Sequence, residues 1–190
     1  MKKLVIIALL FLGVFVNAQE TEAEKQARGI ELMSKKVDMT VDSELFMSVT
    51  QNTYVSESPK AVVMGMYVPE NYEAAKKKLK ENASTQNFEI TSSGEKEING
   101  IKVLYMYGNS EAEGVKLNNK VYCYEIDKDT CLMLVGMLEV GANKKYSEAI
   151  DSALNSGINT YAYYSFSASK AYGIRFFQID KQDNSGFFQF

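Results

Sequence analysis

The amino-acid sequence predicts an α+β fold in which a mainly antiparallel β-sheet is flanked by helices. Two amphipathic helical segments, 71–83 and 143–158, enclose a run of β-prone segments that are joined by short polar turns. An Asn-Gly pair at 99–100 lies between two of these segments, and this dipeptide is the strongest short-range signal of a β-hairpin. Hairpin-linked strands with flanking helices favour an α+β architecture over a parallel sheet.

Residues 1–18 have the layout of a secretory signal peptide. Two lysines follow Met1, the stretch 4–16 is apolar, and Val16 and Ala18 provide the small-to-medium residues of a cleavage site. The apolar stretch is shorter than the ~20 residues that a membrane-spanning helix needs. We therefore expect cleavage after Ala18, no transmembrane span, and a periplasmic or secreted mature protein.

The segment after the signal peptide begins with a helix. Apolar residues recur at helical spacing within 20–36, at Ala23, Ala27, Ile30 and Met33. The alternation in 37–41 predicts a short strand, whereas 42–50 is compatible with either a helical turn or a strand.

The next two elements are a strand and an amphipathic helix. Residues 61–68 predict a strand that ends at Pro69. Asn71 can cap a helix over 71–83, whose apolar stripe consists of Tyr72, Ala75, Leu79 and Ala83. Lysines at 76, 77, 78 and 80 could form an anion-binding patch, but neighbouring glutamates favour a solvated helix face.

A hairpin then turns at Asn99-Gly100. This register pairs Ile98 with Ile101 and Glu97 with Lys102. A second turn is predicted at Asn118-Asn119, before a strand over 120–126. Residues 131–140 predict a central strand because they are apolar on both faces. The helix 143–158 completes this part of the chain.

Cys123 and Cys131 lie on the two strands around the polar turn 127–130. A loop over 126–128 places the two cysteines opposite each other and allows a disulfide, whereas a two-residue loop at 127–128 places them on opposite faces. An oxidising compartment favours the bond, and the alternative is two buried thiols.

Composition excludes several kinds of site. The chain has no histidine, 2 cysteines and a net charge of −3. Histidine-based catalysis and zinc sites built from histidine or four cysteines are therefore excluded for this chain alone. No basic arm is present, so no nucleic-acid partner is expected. We predict no catalytic, cofactor-binding or metal site, although the 24 acidic residues leave carboxylate acid–base chemistry open.

Residues 60–158 resemble the Mog1/PsbP-like group of proteins. The resemblance rests on four pieces in order: the strand 60–69, the helix 71–83 with its Y-x-x-A-x-x-x-L pattern, the strand turn 96–101, and the final strands and helix at 122–124, 132–136 and 146–154. It implies an α/β/α sandwich with a mainly antiparallel sheet. It also implies a binding or assembly module more than an enzyme.

The C-terminal segment is unusually aromatic. Of the chain's 12 tyrosines and 10 phenylalanines, ten lie within 161–190. One interpretation is a partner surface that includes Tyr161, Tyr163, Tyr164, Phe176 and Phe177. The other is an added hairpin, from strands 160–168 and 174–180, that packs on the sheet.

The sequence thus predicts four regions: a signal peptide at 1–18, a helix with short strands at 19–59, an α+β core at 60–158, and an aromatic-rich extension at 159–190. The predicted function is an exported, non-enzymatic binding or assembly module of the cell envelope. It would bind an envelope protein or self-associate through the extension. The alternative is a small extracytoplasmic hydrolase that uses carboxylates.

Overall fold

The computed structural model describes residues 22–85 and 88–159. These residues form three helices and a seven-stranded sheet. The helices are α1 (Glu22–Met33), α2 (Tyr72–Thr85) and α3 (Lys144–Ser156). The strands are β1 (Met47–Thr50), β2 (Thr53–Glu57), β3 (Lys60–Val68), β4 (Glu89–Ile98), β5 (Ile101–Ala112), β6 (Val115–Asp127) and β7 (Thr130–Glu139).

Every neighbouring pair of strands in the sheet is antiparallel, and the order is β1-β2-β3-β7-β6-β5-β4. The predicted α+β class with a mainly antiparallel sheet is therefore confirmed. Strand β7 lies at the centre of the sheet and is buried on both faces along most of its length, as its apolar sequence predicts. Strands β1 and β4 form the two edges.

Helix α2 packs on one side of the sheet, which we call the α2 face. Its buried residues Tyr72, Ala75, Leu79 and Ala83 contact alternate strand residues, which include Val62, Met64, Met66, Leu104, Met106, Val121, Met133 and Val135. The amphipathic stripe predicted for this helix is thus its buried face. Asn71 caps the helix as predicted, because its Oδ1 accepts a hydrogen bond of 2.9 Å from the Ala74 N–H.

Helices α1 and α3 pack on the other side of the sheet, the α1/α3 face. Leu32 of α1 and Ile150, Ala153 and Leu154 of α3 are buried there against strand residues such as Val63, Tyr67, Tyr124, Leu132 and Leu134. Asn143 caps α3 through a 3.0 Å bond to the Lys145 N–H. The two helices contact mainly β3 and β7, so the end of this face formed by β4 and β5 lies beyond them.

The predicted strand at 37–41 is wrong, because these residues form a loop between α1 and β1. A buried asparagine holds this loop: the Asn52 side chain accepts a bond from the Val37 N–H and donates one to the Lys35 carbonyl. The ambiguous segment 42–50 ends in strand β1. A side chain from a distant part of the chain thus supplies the polar contacts that the local pattern had assigned to strand pairing.

The Asn99-Gly100 turn is confirmed, with φ of 53° and 76° at its two residues and the predicted pairs Ile98–Ile101 and Glu97–Lys102. The turn predicted at Asn118-Asn119 is wrong. Both asparagines lie within β6, and the turn before that strand is at Glu113-Gly114, with φ of 54° and 77°. Buried Asn119 instead donates from its side-chain amide to the carbonyls of two strand residues and to Ser110.

Gly100→Val is expected to lower the free energy of unfolding by at least about 1 kcal/mol, because a β-branched residue resists positive φ. No atom lies within 4 Å of a Cβ placed there, so the cost comes from the backbone conformation and not from a steric clash. Urea unfolding of both proteins measures the difference. An unchanged midpoint would contradict the role assigned to this turn.

The signal peptide at 1–18 and the C-terminal hairpin lie outside the described residues, so both remain predictions. Within 22–85 and 88–159, no helix combines the length and the apolar character that crossing a membrane requires.

Candidate functional site

A lysine lies among three tyrosines on the α1/α3 face, near the β4 edge of the sheet. Lys96 Nζ donates hydrogen bonds of 2.8 Å to Tyr107 Oη and 3.0 Å to Tyr122 Oη. The two tyrosine oxygens are themselves 3.0 Å apart. The ammonium also lies 4.5 Å from the centroid of the Tyr122 ring and 5.3 Å from that of Tyr105. We call Lys96, Tyr105, Tyr107 and Tyr122 the lysine–tyrosine cluster.

Strand register brings the cluster together. Tyr105 and Tyr107 are two residues apart on β5 and therefore share a face. Tyr122 of β6 lies directly opposite Tyr105, and Lys96 enters from β4 opposite Val103. On the other side of β5, Gly94 of β4 lies opposite Tyr105. A Cβ at Gly94 would be only 3.1 Å from the Tyr105 ring. The absence of a side chain at Gly94 therefore allows the Tyr105 ring to pack against the backbone of β4.

The cluster has more hydrogen-bond donors than acceptors. Lys96 has three N–H groups, and two of them are used by the tyrosine oxygens. The contact between Tyr107 and Tyr122 uses one phenolic hydrogen. One ammonium N–H and one phenolic O–H therefore have no acceptor within the described residues. A carboxylate, a carbonyl or a hydroxyl oxygen of a ligand could accept both hydrogens.

The electrostatics keep this lysine charged. Burial acts to lower the pKa of Lys96, but its hydrogen bonds to Tyr107 and Tyr122 outweigh that effect and raise the pKa above its ordinary value. Burial, followed by the hydrogen bond with Tyr107, also raises the pKa of Tyr122. The cluster thus places a cation among phenol groups, a surface that favours electron-rich oxygen atoms and aromatic rings.

The cluster is partly open to solvent. Tyr105, Tyr107 and Lys96 are half-buried, as are the neighbouring Ile98 and Ile101, whereas Tyr122 is buried. An aromatic and aliphatic surface with a charged centre therefore extends from β6 to the β4 edge.

The opposite face of β4 carries a carboxylate held by two lysines. Glu95 contacts Lys76 at 2.7 Å and Lys102 at 2.8 Å, and it accepts a 3.1 Å hydrogen bond from Tyr72 Oη. The hydrogen bond from Lys102, and then that from Lys76, lower the pKa of Glu95 to about 2. Glu95 is therefore ionised at neutral pH, which suits a link between β4 and α2 and does not suit a general acid.

Glu95→Gln is expected to lower Tm at neutral pH and to have a smaller effect in acid. The folded pKa is about 2 and lies below the ordinary value of 4.5, so the ionised form stabilises the fold. This contribution is complete above about pH 5 and is lost as the pH falls towards about 2. Thermal unfolding of both proteins across this range tests the prediction. A Tm difference that does not change with pH would contradict it.

The lysines of α2 do not form a free patch. Lys78 contacts Glu70 at 2.6 Å, with only 14% and 9% of the two side chains exposed. Lys76 contacts Glu95, and exposed Lys77 is 3.9 Å from Glu81. Each of these three lysines thus has a carboxylate close to it. This agrees with the interpretation of α2 as a solvated helix face and not as an anion-binding patch.

Cys123 and Cys131 are both free in this structure, and both are buried on the α2 face. Neither predicted register is observed, because the turn is at Lys128-Asp129 and an irregularity between Glu125 and Asp127 places Cys131 opposite Glu125. The thiols therefore share a face on neighbouring strands. The hydrogen bond with Cys123, followed by burial, raises the pKa of Cys131. A disulfide between them remains a prediction.

The sequence did not reveal the lysine–tyrosine cluster. The predicted partner residues Tyr161, Tyr163, Tyr164, Phe176 and Phe177 lie outside the described residues. The signal that could have found the cluster is the register from the Glu113-Gly114 turn, which places Tyr105 opposite Tyr122. In the described part of the chain, no group of three or more cysteine, aspartate or glutamate side chains is placed to hold a metal ion.

No protein-family profile and no curated protein matches this chain in sequence. Among solved structures, it is similar to a protein of unknown function, PA94, from Pseudomonas aeruginosa, with 14% identity, a TM-score of 0.46, and coverage of 62% of this chain and 81% of that one. It is also similar to LpqN, which is involved in cell envelope biogenesis of Mycobacterium tuberculosis, with 10% identity, a TM-score of 0.42, and coverage of 61% and 78%.

A protein from Bacteroides thetaiotaomicron is similar at 12% identity and a TM-score of 0.39, over 60% of this chain and 42% of that one. Similarity at this level assigns no function. The Mog1/PsbP-like assignment therefore remains a prediction.

Proposed function

We propose that this chain is an exported, non-enzymatic binding or assembly module of the cell envelope, built on a Mog1/PsbP-like α/β/α core. Its partner surface combines the lysine–tyrosine cluster with aromatic residues of the C-terminal extension, namely Tyr161, Tyr163, Tyr164, Phe176 and Phe177. Export is expected from the signal peptide at 1–18, with cleavage after Ala18.

The observation that carries the proposal is the unfilled hydrogen-bonding capacity of the cluster at a half-exposed surface. Tyrosines that serve only to pack a core usually direct their hydroxyl groups to protein acceptors. Here the hydroxyl groups of Tyr107 and Tyr122 surround an ammonium that has no acidic partner among the described residues. Aromatic rings around a cation at a half-exposed surface suit recognition of another molecule.

The alternative, a carboxylate-based hydrolase, has no specific observation in its favour. It needs two carboxylates with separate acid and base roles. The best-defined carboxylates, Glu95, Glu70 and Asp151, each form an ion pair with a lysine. Reproducible turnover of a polysaccharide or peptide panel by the pure protein would overturn the non-enzymatic proposal.

Photo-crosslinking in the cells that naturally produce the protein tests the proposed surface. The crosslinking residue p-benzoylphenylalanine replaces Tyr105 in the full chain. A matched variant carries it in place of Tyr54, another half-buried tyrosine on the same face, located on β2 near the other edge. Envelope fractions are irradiated, and covalent adducts are separated by mass and identified by mass spectrometry.

The proposal predicts an intermolecular adduct of one defined mass from position 105 and none from position 54. The adduct is either a second copy of this chain or another envelope protein. Equal adducts from both positions, or none from 105, would contradict the proposed surface. Recovery of the protein only in the cytoplasmic fraction would contradict export.

A further inference from the structure

We infer that residues 160–168 of this chain add to the sheet as an eighth strand, which pairs antiparallel with the outer edge of β4. This interaction surface goes beyond the proposed function, because strand pairing does not depend on whether the lysine–tyrosine cluster binds a partner. Four observations support it: an open edge, the path of the chain, its remaining length, and the pattern of its side chains.

The outer edge of β4 is open over the described residues. Strand β4 is ten residues long and is the last strand of the sheet, with β5 as its neighbour on one side only. Most of its residues are exposed. Such an edge presents a row of unpaired N–H and C=O groups, which natural proteins cover, interrupt or keep short. An edge of this length is therefore a template for another strand.

The end of α3 lies next to the turn at which β4 ends. The Gly157 carbonyl accepts a 2.7 Å bond from Tyr124 Oη of the inner strand β6. One residue later, the Ile158 carbonyl accepts a 2.8 Å bond from Asn99 Nδ2 at the β4–β5 turn. The backbone at the end of α3 thus lies beside the β4–β5 turn, while the Asn159 side chain donates to the carbonyls of Asp38 and Ser156.

Direction and length follow from this exit point. Strand β4 runs towards the turn at Asn99, so a segment that starts at the turn and follows the edge runs antiparallel to β4. The chain continues from 160 to 190. Nine or ten extended residues span about 30 Å, which matches the ten residues of β4. The first run, 160–168, is rich in tyrosine and phenylalanine and has no charged residue.

Residues 160–168 carry aromatic side chains on both faces of an extended strand, so the pattern suits pairing with the β4 edge in either register. Alternation puts Tyr161 and Tyr163 on one side of the strand and Tyr164 and Phe166 on the other. Either set therefore brings aromatic rings alongside the lysine–tyrosine cluster, next to half-exposed Tyr105. The added strand would extend the aromatic surface across the edge and keep it continuous with β5. A linked segment also has a high effective concentration at its own sheet edge.

Amide hydrogen exchange in the full-length chain, followed by NMR, tests the pairing. Alternate amides of β4 point away from β5 and exchange rapidly if the edge is open. Tyr163→Pro removes a strand donor in the middle of the proposed pair, whereas the control Ser185→Pro lies in the same extension outside the run 160–168. Amides of central strand β7 report whether a variant remains folded.

In the wild type and in Ser185→Pro, we expect the outward amides of β4 to be protected on the order of 100-fold over an open edge. In Tyr163→Pro they exchange at least 10-fold faster, while the amides of β7 do not change. Unprotected outward amides in the wild type would overturn the inference, even if crosslinking supports the proposed function. Protection that grows with protein concentration, together with a dimeric mass in sedimentation, would assign the edge to a second copy and overturn pairing within one chain.

Discussion

Gly136→Val is expected to lower the free energy of unfolding by about 3 kcal/mol, because the central strand has no room for a side chain where α3 crosses it. A Cβ at Gly136 would approach Ile150 Cγ2 more closely than van der Waals contact allows, and it would be 3.2 Å from Leu154 Cδ1. Both side chains are buried, so neither can turn towards solvent. The helix must therefore move away from the sheet, or the core must distort. Urea unfolding measures the effect.

Gly29→Ala is the matched control. Gly29 lies within α1, and no atom lies within 4 Å of a Cβ placed there. Alanine favours helix over glycine, so stability should stay the same or rise by up to about 1 kcal/mol. A loss in Gly136→Val no larger than that of an exposed substitution would contradict the packing assigned to α3.

Lys78→Met is expected to destabilise the protein by about 3 kcal/mol at neutral pH, because it leaves a buried carboxylate without its cation. Only 9% of the Glu70 side chain and 14% of the Lys78 side chain are exposed, and the ion pair measures 2.6 Å. The loss is mainly the cost of keeping Glu70 in place without its partner. It appears as a lower urea midpoint with an unchanged m-value.

A double-variant cycle separates this cost from lost packing. Lys78→Met combined with Glu70→Met should recover most of the stability, since neither charge then remains buried. The adjacent Lys77→Met should change stability by less than about 0.5 kcal/mol, because Lys77 is 77% exposed and lies 3.9 Å from Glu81. Equal losses at the two lysines would contradict the distinction drawn between them.

The sequence predicted the parts of the fold that depend on local rules. Two positive φ angles are required by the turn at Asn99-Gly100, and the side-chain amide of Asn71 caps α2. The failures occur where distant contacts replace local ones. Asn119 has the residue type of a turn, yet it lies within β6 and its side-chain amide donates to the carbonyls of Gly108 in β5 and Leu117 in β6. The loop at 37–41 alternates like a strand, but Asn52 holds its start.

The candidate site was beyond local prediction because it depends on the register of three strands. Tyr105 and Tyr107 share a face by alternation alone, but Tyr122 joins them only if the β5–β6 turn is known. The mistaken turn at Asn118-Asn119 removed that information. The correctly predicted β4–β5 hairpin is enough to predict which face of the sheet Lys96 lies on. Its contacts with Tyr107 and Tyr122 are not predictable in this way, because they depend on how far the lysine side chain extends across the neighbouring strands.

If the lysine–tyrosine cluster is a binding surface and not only part of the fold, removing its charge should weaken binding without unfolding the protein. The most direct test is the yield of the photo-crosslinked adduct from position 105 when Lys96→Met is also present, with Tm measured on the same protein. Methionine keeps most of the side-chain length and removes the charge. Lys128→Met, at a side chain that is 87% exposed, is the control.

We expect Lys96→Met to reduce the adduct at least 10-fold while Tm stays within a few degrees of the parent protein, and Lys128→Met to change neither. An unchanged adduct yield accompanied by a large fall in Tm would contradict a role in binding, because it would show that the cluster stabilises the sheet and has no part in recognition.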